Sequence, residues 1–256
     1  MSGAPVALDL TGRVALVTGG SRGIGRAVAL LLARLGADVG ITYHSRAADA
    51  EAVTRAIRAL GRKAFAVGGD LAEAAVVERV FREFRACFGR LDCFVANAGI
   101  WPADSVPVRD LPGERWRRTL AANLDAVFLS TRAALRMMGP GGRVVLLGST
   151  AGQRGEAGHA DYAATKGAIH ALTKSLAVEA APGVAVNCVA PGWVDTEMSA
   201  GALAGAGGGA IVAGIPLGRV ASAEDVAGPV AFLLSDLARH ITGEVLNVNG
   251  GSVLCG

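Results

Sequence analysis

The chain has 256 residues, of which 52% are hydrophobic and 18% charged, so it can bury a large core. That balance suits a parallel sheet covered on both faces, as one α/β domain or two small ones, with surface to spare for an oligomer. Net charge is only +3 and the basic residues are scattered, which argues against a nucleic-acid partner.

Even the densest basic group, Arg115, Arg117 and Arg118, reads as a solvated helix face. The four cysteines, Cys87, Cys93, Cys188 and Cys255, have neither metal-ligand nor redox-motif spacing. They read as reduced thiols, with Cys93 and Cys188 in buried strands, and no metal is expected. The longest uncharged stretch, 198–218, contains seven glycines and Pro216, which makes it a mobile substrate loop rather than a membrane span. No basic region precedes an apolar run at the N-terminus, so no signal peptide is expected and the expected location is cytoplasmic, away from membranes.

In chain order, residues 1–12 form a lead-in. Val14 to Val17 is a short apolar strand, Thr18 to Gly25 a glycine-rich turn, and Ala27 to Leu35 a helix stopped by Gly36. Asp38 to Tyr43 is a second strand, which completes a βαβ unit. Helix Ala47 to Leu60, strand Lys63 to Val67 and helix Glu73 to Phe88 follow. Leu91 to Val95 is the fourth strand, and a long helix is expected from Glu114 to Met138. Strand Arg143 to Leu147, helix Asp161 to Ala180 and strand Val184 to Val189 come next. Ser222 and Asp225 form a capping box opening a helix to Leu234, and Glu244 to Val248 is the seventh strand. Alternating strands and helices without a composition break predict one doubly wound α/β domain over residues 1–256, with seven parallel strands and helices on both faces.

The chemistry-bearing residues follow the strand ends. Gly19 lets the chain turn off the first strand, Gly23 lets backbone approach a pyrophosphate, and Gly25 lets the helix pack close to the sheet. The free N–H groups at Ser21, Arg22 and Ile24 then face phosphate. Thr18, Asp70, Asn97, Ser149 and Pro191-Gly192 each lie just past a strand, so in a parallel sheet they converge on one edge. Tyr162 and Lys166 are one helical turn apart, which places a phenol beside an ammonium that lowers its pKa. Such a phenol suits general acid–base work near neutral pH, and the 151–160 segment can loop round to bring Ser149 opposite it.

Thr18-Gly19-x-x-x-Gly23-x-Gly25, Asn97-Ala98-Gly99, Asn123, Ser149, Tyr162-x-x-x-Lys166 and Pro191-Gly192-x-x-x-Thr196 occur in that order. Together they resemble the short-chain dehydrogenase/reductase family, in its compact single-domain branch, over about residues 10 to 251, with 3-oxoacyl-acyl-carrier-protein reductases the nearest members. The resemblance implies a Rossmann-type fold and a homotetramer. It implies that Tyr162 donates a proton to a carbonyl as hydride arrives from a nicotinamide, while Ser149 hydrogen-bonds the carbonyl oxygen. Lys166 would lower the Tyr162 pKa and hold the nicotinamide ribose, and Asn123 would anchor a water that passes protons on. Asp70 and Leu71 would border the adenine; Asn97, Ala98 and Gly99 would line the cofactor; Pro191, Gly192, Val194 and Thr196 would sit at its nicotinamide end. Two features depart from the family pattern. Ala96 stands where an Asn is common, and the loops at 138–142 and 181–183 lack the basic residues by which carrier-protein reductases meet acyl carrier protein.

Cofactor choice can be read from the second strand. An NAD enzyme of this type carries an acid at that strand's end. Here Asp38 starts the strand, Asp49 lies in the next helix, and the end reads Tyr43-His44-Ser45-Arg46. Arg22 and Arg46 can converge on a 2′-phosphate, which predicts NADP(H). Trp101, Thr150, Ala151, Arg154, Glu156, His159 and Trp193 are expected to shape the substrate pocket, with His159 a loop residue facing substrate or solvent. The leading expectation is therefore an NADP(H)-dependent carbonyl reductase or alcohol dehydrogenase acting on a small molecule or an acyl thioester. A non-catalytic dinucleotide sensor and an NAD-dependent dehydrogenase of a small alcohol, sugar or steroid are the alternatives. A nucleotide-sugar epimerase is disfavoured, because too few residues follow Pro191 for its substrate domain. The apolar faces of helices 161–180 and 114–138 are expected to pack against their copies.

Overall fold

The computed structural model describes residues 8–205 and 207–255; the first seven residues of the expected lead-in lie outside them. Seven strands form one all-parallel sheet: β1 (Val14–Val17), β2 (Asp38–Tyr43), β3 (Ala64–Gly68), β4 (Cys93–Ala96), β5 (Gly142–Leu147), β6 (Val184–Pro191) and β7 (Val245–Val248). Their order across the sheet is β3-β2-β1-β4-β5-β6-β7. The order reverses between β1 and β4, and in open α/β sheets that is where a crevice opens at the carboxyl ends.

The alternation of side chains along each strand builds two cores. Ala15 and Val17 of β1 face a layer made by α1 (Gly23–Arg34), α2 (Ala47–Ala59) and α10 (Ala223–Leu234), packing with Val28, Leu32, Ile57 and Val230. Val14 and Leu16 face the other way, toward α3 (Ala74–Phe88), α5 (Ala126–Met137) and α7 (Ala160–Glu179), among Val80, Phe84, Phe94, Ala134 and Ile169. Burying a large side chain such as Phe84 contributes roughly 1.5–3 kcal/mol. Gly40 makes room for it, since a Cβ there would lie 2.6 Å from the Phe84 ring.

Local signals set the helix ends. α10 opens on the expected capping box, the Ser222 hydroxyl accepting from the Asp225 N–H at 3.1 Å and the Asp225 carboxylate from the Ser222 N–H at 2.7 Å. Gly89, at φ +77°, ends α3 in the left-handed conformation.

Two expectations need correction. The helix expected from Glu114 to Met138 is α4 (Gly113–Leu120) and α5 joined by a π-helical turn at Ala121–Asp125. Asn123 is fully buried at the centre of that turn, where an inserted residue re-aims a side chain, as π turns at functional sites do. The segment 198–218 is also not a plain loop: it contains α8 (Ala200–Ala204) and α9 (Gly208–Ala213). Alanine, the best helix former, supplies three of the five residues of α8 and two of the six of α9. Ser199 launches α8 by accepting from the Thr196 N–H while its hydroxyl donates to the Val194 carbonyl.

Among the described residues, no helix is long and apolar enough to cross a membrane. Cys93 and Cys188 are buried and Cys87 and Cys255 exposed, all four as free thiols.

Candidate active site

A cavity of about 590 Å³ opens at the carboxyl ends of β1, β4, β5 and β6, around the point where the strand order reverses. Its wall includes Gly19, Ser21, Arg22, Gly23 and Ile24 of the glycine turn, Tyr43 to Arg46 beyond β2, and Asp70 and Leu71 beyond β3. Asn97, Ala98 and Gly99 beyond β4 continue it, followed by Ser149, Thr150 and Ala151 beyond β5 and by Pro191, Gly192, Trp193, Val194 and Thr196 beyond β6. Trp101, Arg154, Glu156, Tyr162 and Lys166 complete the predicted set.

Four predicted residues stand behind the wall rather than on it: Thr18, Gly25, Asn123 and His159. Thr18 is buried, and its hydroxyl accepts from the N–H groups of Asn97 at 2.9 Å and Ala98 at 3.0 Å. The Asn97 amide answers by donating to the carbonyls of Thr18 and Gly19. The two strand ends are thus laced together under the cavity floor. Gly25 packs against this lacing; a Cβ there would lie 2.3 Å from the Gly19 carbonyl oxygen. α1 begins directly beyond, with Arg22 at its cap and no side chain bonding its first N–H groups. Those groups are free to meet a phosphate, and the glycine cradle leaves space for one. Arg22, His44, Ser45 and Arg46 are exposed at the same end. Asp49 lies in α2, as expected, 3.9 Å from Arg46 in a solvent-exposed pair.

Asn123 lines no part of the cavity. Its Oδ1 accepts from the Ile100 N–H at 2.7 Å and its Nδ2 donates to the Ile100 carbonyl at 2.9 Å, so it clamps the backbone after Gly99. His159 is not a solvent-facing loop residue either. It caps α7, is buried, and stacks on Trp101 with ring centroids 4.7 Å apart.

The catalytic wall is Ser149, Tyr162 and Lys166. Lys166 Nζ lies 5.7 Å from the Tyr162 ring centroid and donates to the Leu147 carbonyl at 2.7 Å. The expectation that Lys166 lowers the phenol pKa is not met in this state. Burial pushes the Tyr162 phenol up to about 12, the neighbouring Ser149 hydroxyl pulls the other way, and the Glu156 carboxylate adds to the rise. Burial likewise brings the Lys166 ammonium down to about 8. Burial disfavours the charged form of each group, the phenolate and the ammonium alike. The wall therefore holds a protonated phenol at neutral pH, the form able to donate a proton.

One part of the site escaped the sequence reading. Arg115 is not on a solvated face: its side chain is 10% exposed and its Nε donates to Asp161 at 3.0 Å, with the Asp161 side chain fully buried. Arg115 also donates to the carbonyls of Asp104 and Gly158, and Thr119 donates to Asp161 at 2.8 Å. Burial raises the Asp161 carboxyl pKa, but hydrogen bonds from Arg115, Thr119 and the Tyr162 N–H outweigh it and leave it lowered. The cluster ties α4 to the first turn of α7, which carries Tyr162. The signal was an acid beside Tyr162 and a helical Arg and Thr four residues apart, with nothing in the sequence to join them.

A family model described as enoyl-(acyl carrier protein) reductase matches residues 19–252. The 3-oxoacyl-acyl-carrier-protein reductase of Escherichia coli is 41% identical over 247 residues, covering 95% of this chain and 98% of the relative. A short-chain dehydrogenase from Burkholderia cenocepacia, solved in complex with NADP, superposes with a TM-score of 0.89 at 41% identity, over 95% of this chain and 98% of the other. A short-chain dehydrogenase/reductase from Serratia marcescens gives a TM-score of 0.90 at 40% identity, with the same coverage.

Proposed function

The chain belongs to the short-chain dehydrogenase/reductase family, and from that premise we propose that it is an NADPH-dependent carbonyl reductase built as a single catalytic unit. The observation that carries the reading is the wall on which Ser149, Tyr162 and Lys166 meet beside the uncapped start of α1. When bound, the nicotinamide supplies hydride. The chain supplies the rest: the Ser149 hydroxyl holds a carbonyl oxygen, the neutral Tyr162 phenol donates the proton, and Lys166 holds the ammonium end of the wall. Asn123 keeps the 97–101 backbone in register through Ile100. The matching family model is described by enoyl reduction and the Escherichia coli relative by 3-oxoacyl reduction. Two hydroxyls meeting where an oxygen gains a proton favour the carbonyl reaction.

NADPH rather than NADH is supported by the β2 end. No carboxylate lines the cavity at 43–46, whereas Arg22 and Arg46 both do. A guanidinium pair matches a 2′-phosphate by charge and geometry, and the Burkholderia relative was solved with NADP.

Tyr162→Phe keeps the ring and removes the acid. Turnover should fall at least ~100-fold while NADPH binding persists; near-normal turnover would sink the mechanism.

The outer face of α7 supports assembly. Ala164, Ala171 and Val178 recur on one stripe and are exposed, Val178 to 80%, while Phe128 of α5 is 48% exposed. A stripe of small apolar residues left in water fits a copy of itself across a two-fold axis. We expect a dimer or a dimer of dimers in light scattering; a monomer at micromolar protein would contradict it.

A further inference from the structure

The far end of the cavity is lined by Trp101, Trp193 and Glu156. The two indole planes meet at 80° with centroids 5.8 Å apart, forming a corner. His159 lies flat behind Trp101, tilted by only 18° and 6% exposed. Neither of its ring nitrogens has a hydrogen-bond partner among the described residues, so it serves as a packed plate that fixes the indole. Trp101 Nε1 donates to Glu156 Oε1 at 3.1 Å, and His159 Nδ1 is 3.5 Å from the same oxygen. Glu156 Oε2 accepts nothing among the described residues, and the side chain is 20% exposed, on the cavity side.

A half-buried carboxylate oxygen in an apolar corner restricts what can sit there. An apolar ligand would strip its water without replacing it, and an anionic ligand would add repulsion. A donor group would restore the lost hydrogen bond with a charge-assisted one. Glu156 and Tyr162 line the same cavity, so a ligand that reaches the phenol enters the space the carboxylate borders. Arg118 and Arg154 line the cavity too, and both are exposed, so their guanidiniums stay hydrated where Glu156 is partly shielded.

We propose that the substrate is a ring-bearing ketone whose ring fills the Trp101–Trp193 corner and which offers Glu156 a hydrogen-bond donor, an ammonium or a hydroxyl. This rests on the carbonyl-reductase reading, and it makes a carrier-bound acyl chain the wrong occupant of this end.

Three acetophenones of matched shape test it, carrying a para aminomethyl, hydroxymethyl or carboxylate group. They are titrated into the enzyme–NADP⁺ complex by indole fluorescence and assayed by NADPH oxidation. Both donor-bearing ketones should outperform the carboxylate at least tenfold in Kd and kcat/KM, the scale of one hydrogen bond to a charge. Glu156→Gln keeps an acceptor for Trp101 and should lose the aminomethyl advantage while keeping the hydroxymethyl one. Glu156→Leu should lose both, and thermal melts of the two variants separate this from misfolding. An order that ignores both substitutions, or a preferred carboxylate, would overturn the proposal; the second result would hand the site to an anionic substrate held by Arg154. If the binding order holds but wild-type enzyme oxidises no NADPH with any of the three, the reductase reading fails and the subsite stands.

Discussion

At Gly19, Gly23, Ala98 and Gly99 the cavity wall is made by residues with little or no side chain. Around Trp101, Glu156, Tyr162 and Trp193 it is made by residues with large side chains. The first region achieves its shape by close approach: Gly25 against the Gly19 carbonyl, and Thr18 and Asn97 bonding only to backbone. A backbone cradle can bind the parts of a ligand that never vary, such as phosphates, because N–H groups are the same whatever the sequence. The second region is assembled from α4, α6 (Ala151–Arg154), α7 and the segment after β6, and its shape depends on which side chains these bring. One fold can thus keep its cofactor and change its substrate.

The sharpest way to break this division is through Arg115. Arg115→Met leaves the fully buried Asp161 carboxylate without its cation. Stability should fall by about 3–5 kcal/mol, the usual result of orphaning one partner of a buried pair. Chemical denaturation of apo protein measures it, and an Arg115→Met/Asp161→Asn double variant should recover much of the loss. In the folded fraction kcat should drop more than NADPH affinity, because the pair positions Tyr162 and not the glycine turn. If NADPH affinity falls as much as kcat, the two regions are not separable.

Lys166 sits at the seam. Its folded pKa of about 8 lies below the ordinary 10.5, so the fold disfavours the charged form. Between those values the unfolded chain binds more protons, and stability rises with pH; below 8 the full cost remains. Lys166→Met should therefore be more stable than wild type by up to about 3 kcal/mol at pH 7, with the gain shrinking toward pH 10, while activity is lost. Denaturant midpoints across that range are the measurement. A variant less stable at pH 7 would mean that the Leu147 contact, not desolvation, dominates.

The smallest expected effect is on the cofactor side. Arg46 is an exposed side chain added to a backbone cradle, so Arg46→Ala should weaken NADPH by about tenfold and leave NADH nearly unchanged. Fluorescence titration of both cofactors would show it. Equal wild-type affinities, or an equal loss for both, would remove the phosphate reading.

The order of elements and the convergence of Ser149, Tyr162 and the glycine turn on one sheet edge were legible in the sequence alone. They depend on local periodicity and on spacings that a parallel sheet translates directly into position. The absence of an acid at the end of β2 was equally legible, because strand register is counted along one segment. What lies behind the wall was not. That Arg115 is buried on Asp161, that Asn123 clamps Ile100 from a π turn, and that His159 backs Trp101 depend on pairs 46, 23 and 58 positions apart, respectively. The protonation state of Tyr162 belongs to the same class. Spacing put a cation beside it, but desolvation by surrounding elements raised its pKa, and burial exists only once those elements have packed.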